Sequence, residues 1–497
     1  MGRKEQIINQ RNKKLQELRN QGINPYPNKF NVKDYSQEIK NKYFKLKNNE
    51  KNSIIVKIAG RVMTKRNLGK LIFANLQDNQ GKIQIILQKD QTKSKSFDLF
   101  KKYIDSGDII GCEGNIMKTK TGEISVLIKN IELLSKSLLP LPEKFHGIQD
   151  KEERYRKRYL DLIMNPKIKD VFIKRGIIIE EIRNFLKERG FIEAEIPTLQ
   201  RIYGGASARP FKTHLNTLNM DLFLAISPEL YLKRLIVGGI DKIFSIGKSF
   251  RNEGVDWNHN PEFTTLEFYY AYSNYERLME MTEELINRLR KRLNLEEKIN
   301  YQGKKINLKT PFKRIKFRDL ILKETKIDID KAGNFDKLKK EINSKKLKEV
   351  NIKECTHYGA LLEELYKRII RPKIIQPVFL THYPVEMIAL AKRNEINPRY
   401  INTFQLLING TELLKAYDEL NDPQDQEIRL KEQSKLLKKG DEEAMPMDKD
   451  FINALKVAMP PTAGYGLGID RLVMLLTNQA SIKDVILFPF MRDEKRK

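Results

Sequence analysis

A polar hairpin in the middle of the chain constrains the fold more than any other segment. Residues alternate from Phe263 to Ala271, and one mostly apolar face carries Thr264, Leu266, Phe268 and Tyr270. The opposite face carries an aromatic ring, a hydroxyl, a carboxylate and a phenol, supplied by Phe263, Thr265, Glu267 and Tyr269. Because aromatic side chains gain little from exposure to water, this face predicts a ligand-binding surface. The alternative is an ordinary amphipathic hairpin with one solvated face.

A glycine-rich segment near the C-terminus points to an anionic ligand. Gly464, Gly466 and Gly468 alternate just before an apolar helix, which leaves one strand face bare enough for a flat ligand. Asp470 is predicted to cap that helix. Arg471 then lies in the first helical turn, where a cation is unfavourable unless it faces a bound anion. Together with Arg251 in the hairpin, Arg471 predicts a phosphate chain bound at two points.

Composition limits the partners and the compartment. The 497 residues include 93 Lys and Arg against 65 Asp and Glu, a formal net charge of +28. Such an excess favours a polyanion such as nucleic acid, although biased codon usage would also enrich Lys, Asn and Ile. Cys112 and Cys355 are too few for a metal cluster or a disulfide framework. With no long apolar run and no signal-peptide core at the start, we predict a cytoplasmic protein without a membrane span.

At these residues the chain resembles a known family. The hairpin and the Gly-Leu-Gly-Ile-Asp-Arg helix start are similar to motifs 2 and 3 of class II aminoacyl-tRNA synthetases, and residues 185–197 are similar to the end of motif 1. The resemblance is closest to lysyl-tRNA synthetases and extends from about Ile54 to Arg492. Further matching segments are residues 154–162, 204–211, 228–233, 419–423 and 484–489.

The resemblance implies an α+β fold, with an N-terminal five-stranded OB-fold β-barrel followed by a catalytic domain built on an antiparallel β-sheet flanked by helices. The sequence pattern also predicts the barrel, because five strand-like runs are separated by polar turns. We expect a helical extension at 1–50, the barrel at 51–137, a linker at 138–165 and the catalytic domain at 166–497. Inside the last, the expected segments are motif 1 at 170–197, motif 2 at 242–272, a helical insertion at 285–375 and motif 3 at 460–492.

An ATP site is expected at motifs 2 and 3. Joining a carboxylic acid to ATP brings two anions together, so the protein must supply positive charge and positioning. The resemblance implies that Arg251 binds the α-phosphate and the attacking carboxylate, and that Arg471 binds the γ-phosphate. A guanidinium is always charged and offers a bidentate fork. Phe263 is expected to stack on adenine. The remaining residues expected to bind ATP are Glu253, His259, Asn260 and Glu412.

The acidic residues near the ligand face predict the amino acid. Alone, Glu229 at a helix start would only offset the helix dipole. Several carboxylates and phenols together suit a side-chain ammonium, whereas an aspartate or asparagine pocket would need Arg or Lys. The set that predicts lysine as substrate is Glu229, Glu267, Tyr269, Tyr417 and Glu419. The resemblance also implies that Gly205 and Ala206 belong to a loop that closes over the amino acid.

Two residues depart from the family. Glu is usual at Gln405, which with Glu412 is expected to bind Mg²⁺, and Gln keeps an oxygen but loses a charge. Asn is usual at Lys415, which is expected to contact the backbone end of the substrate and either pairs with its carboxylate or repels its ammonium. The favoured interpretation is an active lysyl-tRNA synthetase that activates L-lysine with ATP and transfers lysine to tRNA(Lys). The alternative is a tRNA-binding paralogue with impaired lysine activation, and a third is a relative specific for aspartate or asparagine.

The barrel is expected to read the anticodon. Barrels of this type offer aromatic rings for base stacking and polar side chains for base edges. Phe73 and Gln84 on strands, with Arg66 and Glu123 on flanking loops, are the candidates, and each is also compatible with a routine place in a barrel. The resemblance implies tRNA(Lys) as a partner and a homodimer formed through motif 1.

Overall fold

The structure is a computed structural model that describes residues 2–142 and 150–493. The chain divides into two compact units, residues 1–166 and 167–497. Within the described ranges, no helix is long and apolar enough to cross a membrane.

The first unit is built around a closed five-stranded barrel, as predicted. The strands are joined in the order β1-β2-β3-β5-β4, and β3 and β5 are the parallel pair. Alternate aliphatic side chains such as Val56, Ile72 and Ile85 fill the interior, because successive strand residues point to opposite faces. The elements are α1 (Arg3–Asn20), α2 (Ser36–Tyr43), β1 (Lys51–Asn67), β2 (Leu71–Gln77), β3 (Lys82–Gln88), α3 (Ser94–Tyr103), β4 (Ile109–Lys118), β5 (Ile124–Ser135), α4 (Lys151–Arg156) and α5 (Arg158–Met164).

The second unit contains a large sheet with helices on both faces. Its elements as far as the hairpin are α6 (Pro166–Lys187), β6 (Ile192–Glu193), β7 (Leu199–Gln200), β8 (Lys212–Leu215), β9 (Met220–Leu224), α7 (Glu229–Val237), β10 (Lys242–Phe250) and β11 (Glu262–Ala271). Next come α8 (Tyr275–Arg292), β12 (Lys298–Tyr301), β13 (Lys304–Asn307), β14 (Lys313–Lys316), α9 (Phe317–Thr325), α10 (Phe335–Ser344), α11 (Tyr358–Leu365) and β15 (Val378–Thr381). The last are β16 (Thr403–Ile408), β17 (Thr411–Asp418), α12 (Pro423–Lys438), α13 (Lys449–Lys456), β18 (Thr462–Gly468), α14 (Ile469–Leu476) and α15 (Ile482–Val485).

The large sheet runs in the order β14-β15-β16-β17-β18-β11-β10-β6. The six central strands, from β15 to β10 in this order, are antiparallel to one another, as predicted. The edge strands β14 and β6 pair in parallel with β15 and β10. Alternate residues of β11 enter different cores. Phe268 packs with α6, α8 and α14, whereas Tyr269 packs with α7, α9 and α13. The sheet is therefore covered on both faces, which places polar groups between its strands and α7 in a buried setting.

The segment predicted as a helical insertion, residues 285–375, is only partly helical. Helices α9, α10 and α11 follow the prediction, but residues 298–316 form the strands β12, β13 and β14. β14 pairs with β15 at the edge of the large sheet. A Lys-rich strand suits an edge position, where charged side chains remain solvated, and this is why the helical interpretation of the Lys-rich pattern was incomplete.

Candidate functional sites

Strand register brings the predicted ligand residues into two rows across the large sheet. In one row, Glu267 lies opposite Gly466, Gly466 opposite Lys415, and Lys415 opposite Gln405. In the next row, Gly464 lies between Tyr269 and Tyr417. Because directly opposed residues of antiparallel strands point to the same face, side chains more than 100 positions apart in sequence share one surface.

The acidic residues meet in a buried cluster between this surface and α7, which we call the acidic pocket. Tyr417 Oη donates a hydrogen bond to the Glu229 carboxylate, 2.9 Å from each oxygen. Ser227 Oγ donates to Glu267 Oε1 at 2.9 Å, and Tyr269 Oη lies 3.2 Å from Glu267 Oε2. Glu229 and Glu419 are almost fully buried. The predicted lysine-binding carboxylates and phenols therefore form one cluster rather than a solvated helix start.

Burial makes these groups hard to ionise. Burial, and then the neighbouring Glu229, raise the pKa of Glu267 to about 8. Burial also raises the pKa of the Tyr269 and Tyr417 phenols, so both remain hydrogen-bond donors at neutral pH. A cationic ligand would reverse this effect on Glu267, because a nearby opposite charge favours the carboxylate.

Sequence analysis missed one member of the pocket, Lys233. Its ammonium is fully buried, lies 2.5 Å from Glu229 Oε1 and also contacts the Glu419 carboxylate. Burial favours loss of its proton, but Glu229 and Glu419 outweigh burial and raise the pKa of Lys233. The signal was in the sequence, because Glu229 and Lys233 are separated by one helical turn, the spacing of helical ion pairs.

Two glycines make room for the pocket. Gly205 has a φ of +86°, and a Cβ at that position would lie 2.7 Å from Glu229 Cβ, so the predicted loop residue touches the acidic cluster. Ala206, the next residue, packs with Tyr203 and Ala208. A Cβ at Gly464 would overlap the Glu419 carboxylate and lie 2.7 Å from the Tyr269 ring. Gly464 thus opens space for a protein carboxylate, whereas the sequence analysis had assigned the glycines to a flat ligand.

Six of the seven predicted ATP residues line a cavity, and Glu412 is not among them. This cavity has a volume of about 90 Å³ and is bounded by Arg251, Glu253, His259, Asn260, Phe263 and Arg471, among others. The Arg251 guanidinium carbon lies 5.1 Å from the centre of the Phe263 ring, a cation–π distance. Among the residues that the structure describes, nothing accepts a hydrogen bond from the buried Arg251 Nε. A buried charged donor without an acceptor is costly, so this group is suited to an anionic ligand.

Arg471 is held at the far side of this cavity. Its Nη1 donates to the Glu412 carbonyl oxygen at 3.0 Å, and its Nη2 lies 3.4 Å from His259 Nε2. Burial lowers the pKa of Arg471, and the positive charges of Arg371 and Arg251 add to this effect. Arg371 and Arg251 both repel Arg471, which marks a place where negative charge is expected. Arg371 was not found from the sequence.

Asn260 has a structural role in the hairpin loop. Its Nδ2 donates to the Glu262 carbonyl at 2.6 Å, and its Oδ1 accepts from the Phe490 amide at 3.1 Å. Nearby, His259 Nδ1 lies 2.9 Å from an oxygen of Asp256, whereas Glu253 is exposed at the cavity rim.

Asp470 does not cap α14, contrary to the prediction from the sequence. Helix α14 begins at Ile469, and Gly468 is the cap. Asp470 instead accepts hydrogen bonds from Arg175 Nη1 at 2.5 Å and from the Thr264 amide at 2.7 Å. Arg175 also donates to Thr264 Oγ1 at 2.9 Å. The Arg175–Asp470 ion pair, together with the hydrogen bonds of both residues to Thr264, therefore links the predicted motifs 1, 2 and 3. No local sequence pattern predicted this pair.

Gln405 does not offer its oxygen to a metal ion, contrary to its predicted role. It is buried, and its Oε1 accepts hydrogen bonds from Tyr383 Oη at 2.7 Å and Tyr366 Oη at 3.2 Å, which occupies both lone pairs. Glu412 remains as a single half-buried carboxylate. Within the two described ranges, no group of three or more Asp, Glu, His or Cys side chains is arranged to hold a metal. One carboxylate still fits Mg²⁺, which commonly takes one or two protein carboxylates together with substrate phosphates.

The four predicted nucleic-acid residues lie on or beside one part of the barrel. Arg66 on β1 is opposite Phe73 on β2, and Gln84 on β3 lies between Asn75 and Ser125. Phe73 and Gln84 are half-buried, and Arg66 is exposed. Glu123 precedes β5, with a carboxylate oxygen 3.4 Å from Lys40 Nζ. Gln84 Oε1 accepts a hydrogen bond from Ser125 Oγ at 2.9 Å. The outer face thus combines an aromatic ring with polar groups, as base recognition requires.

The two parts of the chain match two known families. Residues 150–492 match the family described as tRNA synthetases class II (D, K and N). Residues 56–134 match the OB-fold nucleic acid binding domain family of the anticodon-binding type.

Similar curated proteins extend over almost the whole chain. A lysine–tRNA ligase of Carboxydothermus hydrogenoformans is 47% identical over 487 residues, which is 98% of both chains. A lysine–tRNA ligase of Halalkalibacterium halodurans is 47% identical over 97% of this chain and 96% of its own. Lysine–tRNA ligase 2 of Methanosarcina mazei is 46% identical over 97% and 93%. With this identity and coverage, the chain belongs to the lysyl-tRNA synthetases of the class II aminoacyl-tRNA synthetase family.

Proposed function

We propose that this protein is a lysine–tRNA ligase that activates L-lysine with ATP to lysyl-adenylate and then esterifies the 3′ end of tRNA(Lys). The observation that carries the substrate is the buried pocket in which Glu229, Glu267 and Glu419 converge. Three carboxylates in one low-dielectric pocket attract a ligand with two ammonium groups and disfavour aspartate or asparagine. The third interpretation, a relative specific for those amino acids, has no pocket of the required charge.

We assign the chemistry of activation to positioning and charge. The lysine carboxylate oxygen forms a bond to the α-phosphorus of ATP while the bond to pyrophosphate breaks. Arg251, whose Nε lacks a protein acceptor, would bind the α-phosphate and that carboxylate. Arg471 would bind the γ-phosphate, and Phe263, already beside the Arg251 guanidinium, would stack on adenine. Such groups act by stabilising charge that is fixed in place before the reaction.

We propose that Mg²⁺ accompanies ATP, with Glu412 as the protein ligand. When bound, the ion would neutralise phosphate charge. Lys415 lies opposite Gln405 in the same row as Glu267, which supports the proposal that its ammonium contacts the substrate's backbone end. The alternative of a paralogue with impaired activation was based on Gln405 and Lys415, and the comparisons give it no support.

We further propose that the barrel binds the anticodon of tRNA(Lys) through Arg66, Phe73, Gln84 and Glu123, and that the protein is a cytoplasmic homodimer. The free thiols Cys112 and Cys355 suit a reducing compartment. The homodimer is supported by exposed aliphatic side chains in and after the predicted motif 1. These are Ile173, Ile192, Leu199, Ile202, Leu215 and Leu218. Sedimentation equilibrium should give twice the 58.3 kDa chain mass, and a monomer would contradict this part of the proposal.

Exchange of labelled pyrophosphate into ATP tests the activity directly. We expect exchange to depend on lysine and Mg²⁺, to proceed without tRNA, and to be absent with aspartate or asparagine. Charging of tRNA(Lys) with labelled lysine tests the second step. A protein that binds tRNA but shows no exchange at any lysine concentration would establish the paralogue alternative instead.

A further inference from the structure

The acidic pocket contains a protein ammonium as well as its three carboxylates. Lys233 is fully buried, and its Nζ lies between Glu229, at 2.5 Å, and the Glu419 carboxylate. Its side chain also passes the rings of Tyr417 and Phe451, each with its centroid 5.8 Å from Nζ. Because the Lys233 ammonium is enclosed and held by two carboxylates, its position is fixed and its charge acts on the acidic pocket rather than on solvent.

We propose that Lys233 is a positioning residue that sets the charge of the amino-acid pocket and so determines its specificity for a substrate with two ammonium groups. When lysine is bound and all three carboxylates are ionised, three carboxylates against one protein ammonium leave two negative charges, which match the α- and ε-ammonium groups of lysine. The lysine carboxylate is left to Arg251. This inference rests on the proposed function, because it concerns how that substrate is selected.

The surrounding groups define the electrostatic role of Lys233. The titratable side chains that face the pocket are Glu229 and Lys233 from α7, Glu267 and Tyr269 from β11, Tyr417 and Glu419 from the end of β17, and Arg251 after β10. Burial, and then Glu229 and Glu267, raise the pKa of Glu419, whereas Lys233 opposes this rise. Lys233 therefore favours the ionised carboxylate that a substrate ammonium requires.

Removal of the Lys233 charge should change the pH dependence of the lysine KM, which a purely structural role would not do. In Lys233→Met, which keeps the length of the side chain, Glu419 becomes harder to ionise because it loses the positive charge that opposes its protonation. The lysine KM should then rise at pH 7. The rise should shrink as the pH increases and Glu419 ionises, and kcat should change much less than KM.

The decisive comparison places the same substitution in a Glu229→Gln background. Glu229→Gln alone leaves one net negative charge, a mismatch for lysine, and the double variant Glu229→Gln with Lys233→Met restores two. We therefore expect Lys233→Met to raise the lysine KM in the wild-type background and to lower it in the Glu229→Gln background. The double variant leaves only Glu419 without its cation, whereas Lys233→Met leaves both Glu229 and Glu419 without it. Because an uncompensated buried charge is destabilising, the double variant remains informative where Lys233→Met alone fails to fold.

Pyrophosphate exchange and calorimetric binding of L-lysine are the measurements, and Arg234→Met is the control. Arg234 is the next residue of α7, but it pairs with Asp448 at 2.6 Å, outside the acidic cluster. Its replacement should leave the pH dependence of KM unchanged. A similar rise in KM from Lys233→Met in both backgrounds, or no change in either, overturns the inference while the function stands. Absence of lysine-dependent exchange in the wild type is a different result and refutes the function itself.

Discussion

At the residue scale, the surroundings of Arg251 favour an anionic ligand. Its guanidinium lies against the Phe263 ring, and its Nε is buried without an acceptor among the described residues. The ring stabilises the guanidinium by cation–π attraction, but the Nε donor remains buried without an acceptor, which is costly. A bound anion would accept this hydrogen bond, and the free energy of that interaction would favour binding.

Arg251→Ala should therefore lower exchange by about 10²–10³-fold, the usual effect of removing one preorganised donor, and leave the fold intact. Circular dichroism and single-turnover adenylate formation are the measurements. Lys248→Ala is a matched control, because Lys248 is a cation of the same hairpin that pairs with Glu262 at 3.1 Å on the surface. Near-normal exchange by folded Arg251→Ala would exclude the assigned role.

Glu267 gives the pocket a pH dependence. Burial, and then Glu229, raise its pKa to about 8, whereas Ser227, Tyr269 and Arg251 favour the ionised form. Below that pH the empty pocket holds a neutral carboxyl, and a proton must leave before a substrate ammonium is paired. The lysine KM should thus rise as pH falls below 8, by about tenfold for each unit.

Exchange kinetics at saturating ATP between pH 6.5 and 9 measure this slope. Glu267→Gln should bind lysine weakly at every pH and lose the slope, because it has no proton to release. A wild-type lysine KM that stays constant between pH 6.5 and 8 would show that Glu267 is already ionised in the empty pocket.

At the scale of an element, β18 is shaped by the side chains on either side of it. Gly464 pairs with Tyr269 and Tyr417 and occupies the place where a Cβ would overlap the Glu419 carboxylate. Gly466 is less restricted, since a Cβ there would meet its nearest neighbour at an ordinary 3.8 Å. Gly464 and Gly466 look equivalent in the sequence, but only at Gly464 would a Cβ collide with a neighbouring side chain.

Gly464→Ala should lower the free energy of unfolding by about 1–3 kcal/mol, the usual cost of overpacking, and should raise the lysine KM because Glu419 must move. Gly466→Ala is the control and should leave stability nearly unchanged. Urea denaturation and exchange kinetics measure the two effects. Equal stability of the two variants would show that Glu419 moves aside easily.

At the scale of the whole molecule, we assign two tasks to the two compact units. The barrel residues assigned to the anticodon lie in residues 1–166, and the residues assigned to activation lie in residues 167–497. A defect in base recognition should therefore appear in tRNA charging and not in exchange, which needs no tRNA.

Phe73→Ala should weaken charging by the loss of one stacked base, about 1–3 kcal/mol, and leave pyrophosphate exchange unchanged. Phe44→Ala is the matched control, because Phe44 is an exposed aromatic of the same unit that follows α2 and lies outside the barrel strands. Thermal unfolding of the unit checks barrel stability. An equal loss of exchange and charging would mean that Phe73 supports the fold and does not read a base.

The sequence by itself determined the fold class, the five barrel strands, the family and the carboxylates and phenols of the acidic pocket, because alternation, glycine spacing and clusters of charge are local patterns. It failed where a partner comes from far along the chain. The hydrogen bonds from Tyr366 and Tyr383 to Gln405 span 39 and 22 positions, and the pairing of Arg175 with Asp470 spans 295.

Only the tertiary structure decided which side-chain oxygens already accept hydrogen bonds from the protein and which can still bind a ligand. From the sequence alone, any glutamine is a possible metal ligand. In the structure, the buried hydroxyls of Tyr366 and Tyr383 both donate to the Gln405 oxygen. A lysine on a helix reads as solvated, but the folding of β17 against α7 enclosed Lys233 between two carboxylates. The physical reason is that burial changes the free energy of a charge by far more than its neighbours in sequence can, and burial is a property of the assembled fold.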